Sequence, residues 1–211
     1  MAKKKSQGTA EDLIPETPTL FSLQEAASLC KACDLWENAT QTVFGEGAKH
    51  AKIMFIGEQP GNEEDLKGAP FVGPAGRLLD KALDEAGIDR SQTYVTNVVK
   101  HFKWEPRGKR RIHKKPNTTE IAACRPWLEA EIATVRPKII VLLGATAAQA
   151  LLGKEFRVSR QRGQPIPSTL AELVMATVHP SSILRATDES RESEMEQFIQ
   201  DLESVAKALN C

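Results

Sequence analysis

The sequence predicts an α/β fold, a three-layer sandwich in a single domain with a central, mainly parallel, four-stranded sheet. Three observations lead to this prediction. Four short segments are apolar and rich in β-branched residues, as buried parallel strands are. Segments with a helical pattern separate them along the chain. The length of 211 residues is enough to bury a core within one domain.

The predicted elements alternate along the chain. The strands are AKIMFIG (51–57), YVTNVV (94–99), KIIVLLG (138–144) and LVMATV (173–178). The helices are AGRLLDKALDEAG (75–87), NTTEIAACRPWLEAEIATV (117–135), ATAAQALLG (145–153) and SEMEQFIQDLESVAKAL (193–209). The first helix ends at a glycine and the second opens on an Asn-Thr cap, which are typical stop and start signals. Residues 1–18 are predicted to form a flexible tail that precedes a domain over 19–211.

Charge is distributed unevenly in this chain of net charge zero. Between Lys100 and Lys115 there are eight Lys or Arg and one Glu, so this window carries +7 and the rest of the chain carries −7. Like charges at this density repel one another unless a polyanion binds them. The window therefore predicts a basic loop that contacts nucleic acid, and a second basic segment, 154–163, is expected on the same face.

Several classes of protein are excluded. The chain has no run of 18 apolar residues, and its N-terminus lacks the apolar stretch of a signal peptide, so a cytoplasmic protein without a membrane partner is expected. No GxGxxG follows a strand and no GxxxxGK[ST] occurs, which argues against a dinucleotide-binding enzyme and a P-loop enzyme.

Distinctive motifs follow the predicted strands, at the sheet edge where α/β proteins bind ligands. They are GEQPG, KHFKW, GATAA and HPSS, in that order. Together with PFVGPAGRLL and VTNVVK, they resemble the uracil-DNA glycosylase superfamily over about residues 22–209. Within it the chain is similar to the iron-sulfur branch, family 4, and more closely to the UdgX-type uracil-DNA-binding proteins. Gln59 in GEQPG and the KRRIH loop carry the closer resemblance.

The resemblance implies that the partner is uracil-containing DNA and that uracil is the product. An unpaired base is cheaper to flip out, so single-stranded DNA is the expected form. Phe71 would stack on the extruded base, and the Asn97 amide would distinguish uracil from cytosine. The backbone around Gln59 would read the opposite edge of the base, with Gly57 allowing close approach.

His179, in the HPSS motif, is expected to act in breaking the glycosidic bond. Cleavage leaves negative charge on the departing base, and His179 would hydrogen-bond a uracil carbonyl oxygen as that charge develops. Ser181 and Ser182 are expected to contact phosphate rather than to act as nucleophiles, because no general base stands beside them in the sequence.

The basic loop is expected to bind DNA and to supply a nucleophile. Lys109, Arg110 and Arg111 would contact phosphates without reading sequence. His113 would attack the anomeric carbon and leave a neutral glycosyl-imidazole that stays attached. Glu58 would either orient His113 and accept its proton, or activate a water molecule.

The cysteines predict a metal or cluster site. Cys30 and Cys33 form a CxxC, and Cys124 lies in a predicted helix. The resemblance implies a 4Fe-4S cluster, for which family 4 has a fourth cysteine where this chain has His101. His101 is the preferred fourth ligand, Cys211 is the alternative, and zinc bound by the same ligands is the rival to the cluster.

The predicted function is therefore a uracil-DNA glycosylase that becomes covalently linked, through His113, to C1′ of the abasic deoxyribose. Such a protein is a single-turnover enzyme, expected to be a monomer. The first alternative is a conventional family 4 glycosylase in which Glu58 activates water and the protein turns over. The second, from another class, is a non-catalytic iron-sulfur module that binds DNA.

Overall fold

The computed structural model describes residues 9–209, which form a central sheet with helices packed on both faces. The strands are β1 (Glu46–Gly47), β2 (Ile53–Gly57), β3 (Thr93–Asn97), β4 (Trp104–Arg107), β5 (Arg110–His113), β6 (Ile139–Leu143) and β7 (Leu173–Thr177). The helices are α1 (Leu20–Ser28), α2 (Asn62–Lys67), α3 (Pro74–Glu85), α4 (Thr118–Val135), α5 (Ala145–Leu152), α6 (Val158–Gln161), α7 (Pro180–Arg185) and α8 (Asp188–Leu209). Short 3-10 turns cover Ala10–Leu13, Asp34–Glu37 and Arg90–Gln92.

The central sheet has the order β1-β3-β2-β6-β7 within the described residues. Strands β3, β2, β6 and β7 run parallel, which confirms the α/β fold and the four predicted strands. The prediction of a four-stranded sheet is wrong by one strand, because β1 pairs antiparallel with β3 at the edge. The two residues of β1 are exposed, so no apolar run marked them in the sequence.

Alternation along the strands divides the core into two layers. Met54 and Ile56 of β2 face the side covered by α1, α4 and α5. Ile53 and Phe55 face the opposite side, covered by α3, α7 and α8. Burial on both faces explains why the parallel strands read as continuous apolar segments, and the three-layer prediction is confirmed.

The predicted helices are present with modest shifts of their ends. Pro74 occupies the first turn of α3, where its missing N–H costs nothing. Asn117 caps α4 in a capping box with Glu120, as its sequence indicated. Helix α8 begins at Asp188, five residues before the predicted start at 193, because its exposed first turns carry no apolar pattern.

The basic segment is a β-hairpin, which corrects the prediction of a loop. Strands β4 and β5 pair antiparallel, with Trp104 opposite His113 and Arg107 opposite Arg110. Gly108 has a φ of +59°, a left-handed conformation that glycine adopts without strain. The residues of both strands are largely exposed, so the hydrophobic alternation that reveals a half-buried strand is missing.

The predicted tail lies only partly in the described region. Residues 1–8 fall outside it, whereas Ala10–Leu13 form a 3-10 turn in which Ala10 is fully buried in the core layer that includes α4. Whether residues 1–18 are mobile is untested and stays a prediction. Among residues 9–209, no helix is both long and apolar enough to cross a membrane.

Candidate functional site

Four of the residues that the sequence singled out converge at the carboxyl ends of β2 and β3. A Cβ atom built on Gly57 would lie 2.4 Å from Asn97 Oδ1, 2.9 Å from Phe71 Cζ and 3.5 Å from His179 Nε2. The rings of Phe71 and His179 are 6.2 Å apart and inclined by 30°. Only glycine leaves room among these side chains, and the group of four residues is called here the base pocket, after the extruded base that the sequence predicts it to bind.

Phe71 is held in an unusual backbone conformation beside this pocket. Its φ of +56° is rare for a residue with a large side chain. The carbonyl group of Phe71 packs against α3 at Gly76, where a Cβ atom would come within 1.6 Å of the carbonyl oxygen. Gly76, five residues after Phe71 in PFVGPAG, therefore allows the Phe71 carbonyl group to pack closely against α3. This contact holds the aromatic ring beside Gly57.

The protonation of His179 follows from its neighbours. The backbone N–H of Ser181 donates to His179 Nδ1 at 3.2 Å, and Ser181 Oγ lies 2.9 Å from the same nitrogen. Since Nδ1 accepts, the ring proton is on Nε2, which faces the base pocket. Burial, with smaller effects from Arg185 and His113, lowers the pKa of His179 to about 4. At neutral pH, a neutral imidazole therefore presents an N–H donor to the pocket.

The low pKa of His179 predicts how stability depends on pH. Because the pKa falls from 6.5 to about 4 on folding, the unfolded chain binds more protons in this window, and the free energy of unfolding decreases as pH falls through it. The native protein should therefore be less stable in mildly acidic buffer than in neutral buffer. We expect this decrease in the free energy of unfolding to be smaller in His179→Gln. Denaturant titrations measure it, with the exposed His50→Gln as the matched control; an identical difference in His179→Gln and the native protein would contradict the prediction.

Glu58 and His113 meet at the mouth of the base pocket. His113 Nε2 lies 3.4 Å from Glu58 Oε1, and the second carboxylate oxygen accepts a hydrogen bond from the hydroxyl of Thr146 at the start of α5. Partial burial lowers the pKa of His113, while Glu58 acts in the opposite direction. The predicted pairing of these two residues is present. Thr146 was missed, although it belongs to the GATAA motif at the same sheet edge.

Gln59 has a role that its sequence position did not reveal. Its side-chain amide donates to the carbonyl oxygens of Lys103 and Lys114, both at 3.1 Å, and accepts from the Lys103 N–H at 3.2 Å. These two residues flank the hairpin on either side. One buried amide therefore fastens both ends of the hairpin to the end of β2, beside Glu58.

The three cations predicted to bind phosphate differ in their surroundings. Lys109 and Arg110 are exposed at the hairpin turn and form no ion pair with any residue between 9 and 209. Arg111 instead donates to the buried Asp65 at 2.6 Å and to Asn62 Oδ1 at 2.7 Å. Phosphate binding by the three residues stays a prediction. The internal partners of Arg111 indicate that it also fastens the hairpin to α2.

Three cysteines are buried, and one of them contacts the backbone just after β3. Cys30, Cys33 and Cys124 are free thiols. Burial, with smaller effects that include the other cysteines, raises the pKa of Cys33 to about 11 and that of Cys124 to about 12. Two sulfurs accept N–H hydrogen bonds, Cys30 from the Trp127 indole at 3.3 Å and Cys124 from the Lys100 backbone at 3.2 Å.

His101, the predicted fourth ligand, keeps one ring nitrogen unprotonated. Thr42 donates its only hydroxyl proton to the Ala27 carbonyl, so its oxygen must accept from His101 Nε2, 2.9 Å away. Nδ1 of His101 is then free of a proton, and burial, the largest effect, lowers the pKa of the ring to about 4. A metal-binding histidine commonly donates its second N–H in this manner.

The four predicted ligands have the right chemistry for a metal cluster, but their side chains are too far apart to hold a metal ion. Three thiols and one imidazole lone pair are the ligand types that iron-sulfur sites use. Within residues 9–209, however, no three His, Cys, Asp or Glu side chains come together closely enough to hold a metal ion. Cys211, the alternative fourth ligand, lies outside the described residues.

A buried ion pair next to the site was missed by the sequence analysis. Lys100 and Glu131 are 1% and 0% exposed, and they form a salt bridge. Lys100 Nζ also donates to the backbone carbonyl of Asn97 at 2.7 Å. The pair therefore connects the strand end that carries Asn97 to α4. The available signal was a lysine directly after the predicted strand YVTNVV.

Glu131 is the centre of this buried network. It accepts hydrogen bonds from the Tyr94 hydroxyl at 2.9 Å, the Gly45 N–H at 3.0 Å and the Thr96 hydroxyl at 2.9 Å. Burial and then the charge of Glu131 raise the pKa of Tyr94. Every acceptor position of the carboxylate is thus used, as a buried charge requires.

The chain is similar to several known proteins. The family model described as the uracil DNA glycosylase superfamily matches residues 44–203. The chain is 41% identical over 187 residues to a type-4 uracil-DNA glycosylase of Thermotoga maritima, covering 88% of this chain and 91% of that protein. It is 38% identical over 174 residues to a type-4 uracil-DNA glycosylase of Sulfurisphaera tokodaii, covering 79% and 76%. A DNA polymerase of Bacillus phage SP01 is 30% identical over 166 residues, which are 78% of this chain but 16% of that protein.

Proposed function

The chain belongs to the uracil-DNA glycosylase superfamily, and from that premise we propose that it excises uracil from DNA and then becomes linked through His113 to C1′ of the abasic deoxyribose. The observation that carries the covalent part is the position of His113. Its ring lies 3.4 Å from Glu58, on a hairpin fastened beside the base pocket by Gln59 and Arg111.

Excision is supported by the base pocket. A uracil in the pocket would stack on Phe71, and the Asn97 amide would accept from the base N3–H and donate to the adjacent carbonyl. The glycosidic bond breaks with its electron pair moving to the base, so negative charge develops on the uracil oxygens. The neutral His179 donates its Nε2–H toward that charge, since Ser181 holds the other nitrogen as an acceptor.

Trapping follows from the nucleophile at the pocket mouth. Departure of uracil leaves an oxocarbenium-like carbon at C1′, and one ring nitrogen of His113 forms a bond to it with its lone pair. The other ring nitrogen then loses its proton, which passes to Glu58, the carboxylate beside the ring. The neutral glycosyl-imidazole that results is a poor leaving group, so the DNA remains attached.

A conventional, multiple-turnover glycosylase is the second candidate. The similarity to type-4 uracil-DNA glycosylases, at 38% to 41% identity, favours it. Glu58 would then activate a water molecule in the space beside His113. The hairpin would only bind DNA in that case.

One experiment distinguishes the candidates. The protein is incubated with uracil-containing single-stranded DNA and resolved on a denaturing gel. A heat-stable shifted band is the expected result. Free abasic product with turnover would support the conventional glycosylase, and absence of both products would support a non-catalytic DNA-binding module.

We also propose a 4Fe-4S cluster held by Cys30, Cys33, Cys124 and His101, with Cys211 as the alternative to His101. The cluster, when bound, would tie the N-terminal segment to the strand end that follows Asn97. The buried thiols, the N–H donors to two sulfurs and the unprotonated Nδ1 of His101 support this proposal.

Metal content tests the cluster. Protein purified without oxygen is expected to be brown and to contain iron and acid-labile sulfide, and Cys33→Ser should lose both. His101→Ala should lose iron, whereas Cys211→Ser should keep it if His101 is the ligand. Zinc in a colourless preparation would contradict the proposal.

Asn97 is expected to make the enzyme selective for uracil. A cytosine in the pocket would leave donors and acceptors of the amide unpaired, at a cost of about 1 to 3 kcal/mol for each lost bond. Excision from matched single-stranded DNA carrying uracil, cytosine or thymine measures the selectivity. Equal processing of cytosine would show that Asn97 does not read the base. Preference for single strands, a monomeric state and a cytoplasmic location stay predictions.

A further inference from the structure

A second cleft lies at the amino ends of the parallel strands, across the sheet from the base pocket. Its volume is about 730 Å³. Five basic side chains line it: Lys49, His50, Lys52, Arg136 and Lys138. Lys52 and Lys138 directly precede β2 and β6, and the Ile139 N–H donates to the Lys52 carbonyl at 3.0 Å. These two lysines are therefore neighbours, and the site is called here the amino-edge cleft.

The positive charges of this cleft lack counter-charges. Its lining contains four Lys or Arg and no Asp or Glu. None of these four cations forms an ion pair with any residue of the described chain, and Arg136 Nε contacts only the Ala133 carbonyl, at 3.3 Å. On α2 and α3, by contrast, Lys67 and Lys81 pair with glutamates one turn away. An uncompensated cluster of this kind attracts an anionic ligand.

The floor of the cleft is apolar and made of small side chains. Ala133 and Pro18 are its exposed apolar side chains, whereas Ala51 and Val135 are each only 2% exposed. No Phe, Tyr or Trp is among the lining residues, and His50 has the single aromatic ring there. Proteins that bind single-stranded nucleic acid stack bases on aromatic side chains, so the lining disfavours that ligand. A basic rim around a small apolar floor instead matches a peptide that carries carboxylates on either side of an apolar side chain.

The cleft is also separate from the DNA-binding surface. The strands between the cleft and the base pocket are five residues long, which corresponds to roughly 15 Å at about 3.3 Å per residue. The cations of the hairpin lie at the opposite, carboxyl edge of the sheet. A ligand in the amino-edge cleft would therefore leave the base pocket open.

We propose that the amino-edge cleft binds an acidic peptide segment of a partner protein, with its carboxylates on Lys52, Lys138 and Arg136 and an apolar side chain on Ala133 and Pro18. Such a contact would recruit the protein to a partner while its catalytic face stays free to act on DNA.

The test uses the full chain and a fluorescein-labelled synthetic peptide in which aspartates and glutamates flank two leucines. Saturable binding by fluorescence anisotropy is expected, weakening as salt is raised. The double variant Lys52→Glu/Lys138→Glu should weaken binding by about tenfold or more. Lys67→Glu/Lys81→Glu, with the same change in net charge at exposed sites elsewhere, should bind the peptide as the native chain does.

Three outcomes would overturn the proposal. They are no saturable binding, equal weakening in both double variants, and displacement of the peptide by a uracil-free oligothymidylate. The last would identify the cleft as a nucleic-acid site. Unchanged thermal unfolding of Lys52→Glu/Lys138→Glu, measured alongside, shows that a loss of binding is local. The double variant Lys52→Glu/Lys138→Glu should excise uracil at the same rate as the native protein.

Discussion

Replacing His113 with serine is expected to abolish the covalent DNA adduct and to leave uracil release intact. The base pocket is built from Gly57, Phe71, Asn97 and His179, and within the described residues none of these forms a hydrogen bond or ring contact with His113. The hairpin itself is fastened through Gln59 and Arg111. Serine is smaller than histidine, so water can reach C1′ beside Glu58 and complete the reaction. The variant should then turn over repeatedly.

The measurement pairs a denaturing gel with an assay of released uracil. Arg107→Ser, which removes another exposed cation from the same hairpin, is the matched control and should still form the adduct. Glu58→Gln is expected to slow the reaction at an earlier or shared step. A persistent adduct in His113→Ser would implicate Lys109 or Lys114, and borohydride dependence would reveal a Schiff base. Loss of uracil release would place His113 in the excision machinery and contradict the division between pocket and hairpin.

Lys100→Met is expected to destabilise the protein by about 3 to 5 kcal/mol, because it leaves the Glu131 carboxylate buried without its cation. The same change removes the hydrogen bond to the Asn97 carbonyl. Lys100→Met/Glu131→Gln should recover part of the loss, since the amide is neutral and can still accept from the Tyr94 hydroxyl.

Denaturant unfolding gives the free energies for this comparison. Arg125→Met, which breaks an exposed ion pair with Glu129 on the same helix, is the control and should cost about 0 to 1 kcal/mol. A loss below about 1 kcal/mol in Lys100→Met would show that Glu131 does not need its partner for folding.

The sequence predicted what depends on local pattern and on strand order. Four apolar segments marked the parallel strands, the motifs after them contained Glu58 and His179, and the resemblance singled out Asn97 within the second predicted strand. In a parallel sheet these ends must lie side by side, so convergence at Gly57 followed from topology.

What the sequence did not reveal depends on contacts between distant residues. Gln59 bonds to Lys114 across 55 positions, and Lys100 to Glu131 across 31. No local period encodes such pairs. The hairpin escaped prediction because its strands are exposed and polar, and Arg111 was grouped with its charged neighbours because the buried Asp65 that it binds was not visible as a partner.

The register of β4 and β5 places His113 and the exposed cations at different ends of the hairpin. His113 pairs with Trp104 at the base, next to the Gln59 attachment, whereas Lys109 and Arg110 lie at the tip around Gly108. Residues could be inserted or exchanged at the tip without changing the register at the base. If the proposed function holds, mutation at the tip, natural or designed, would change the strength of DNA binding while His113 keeps its position beside Glu58.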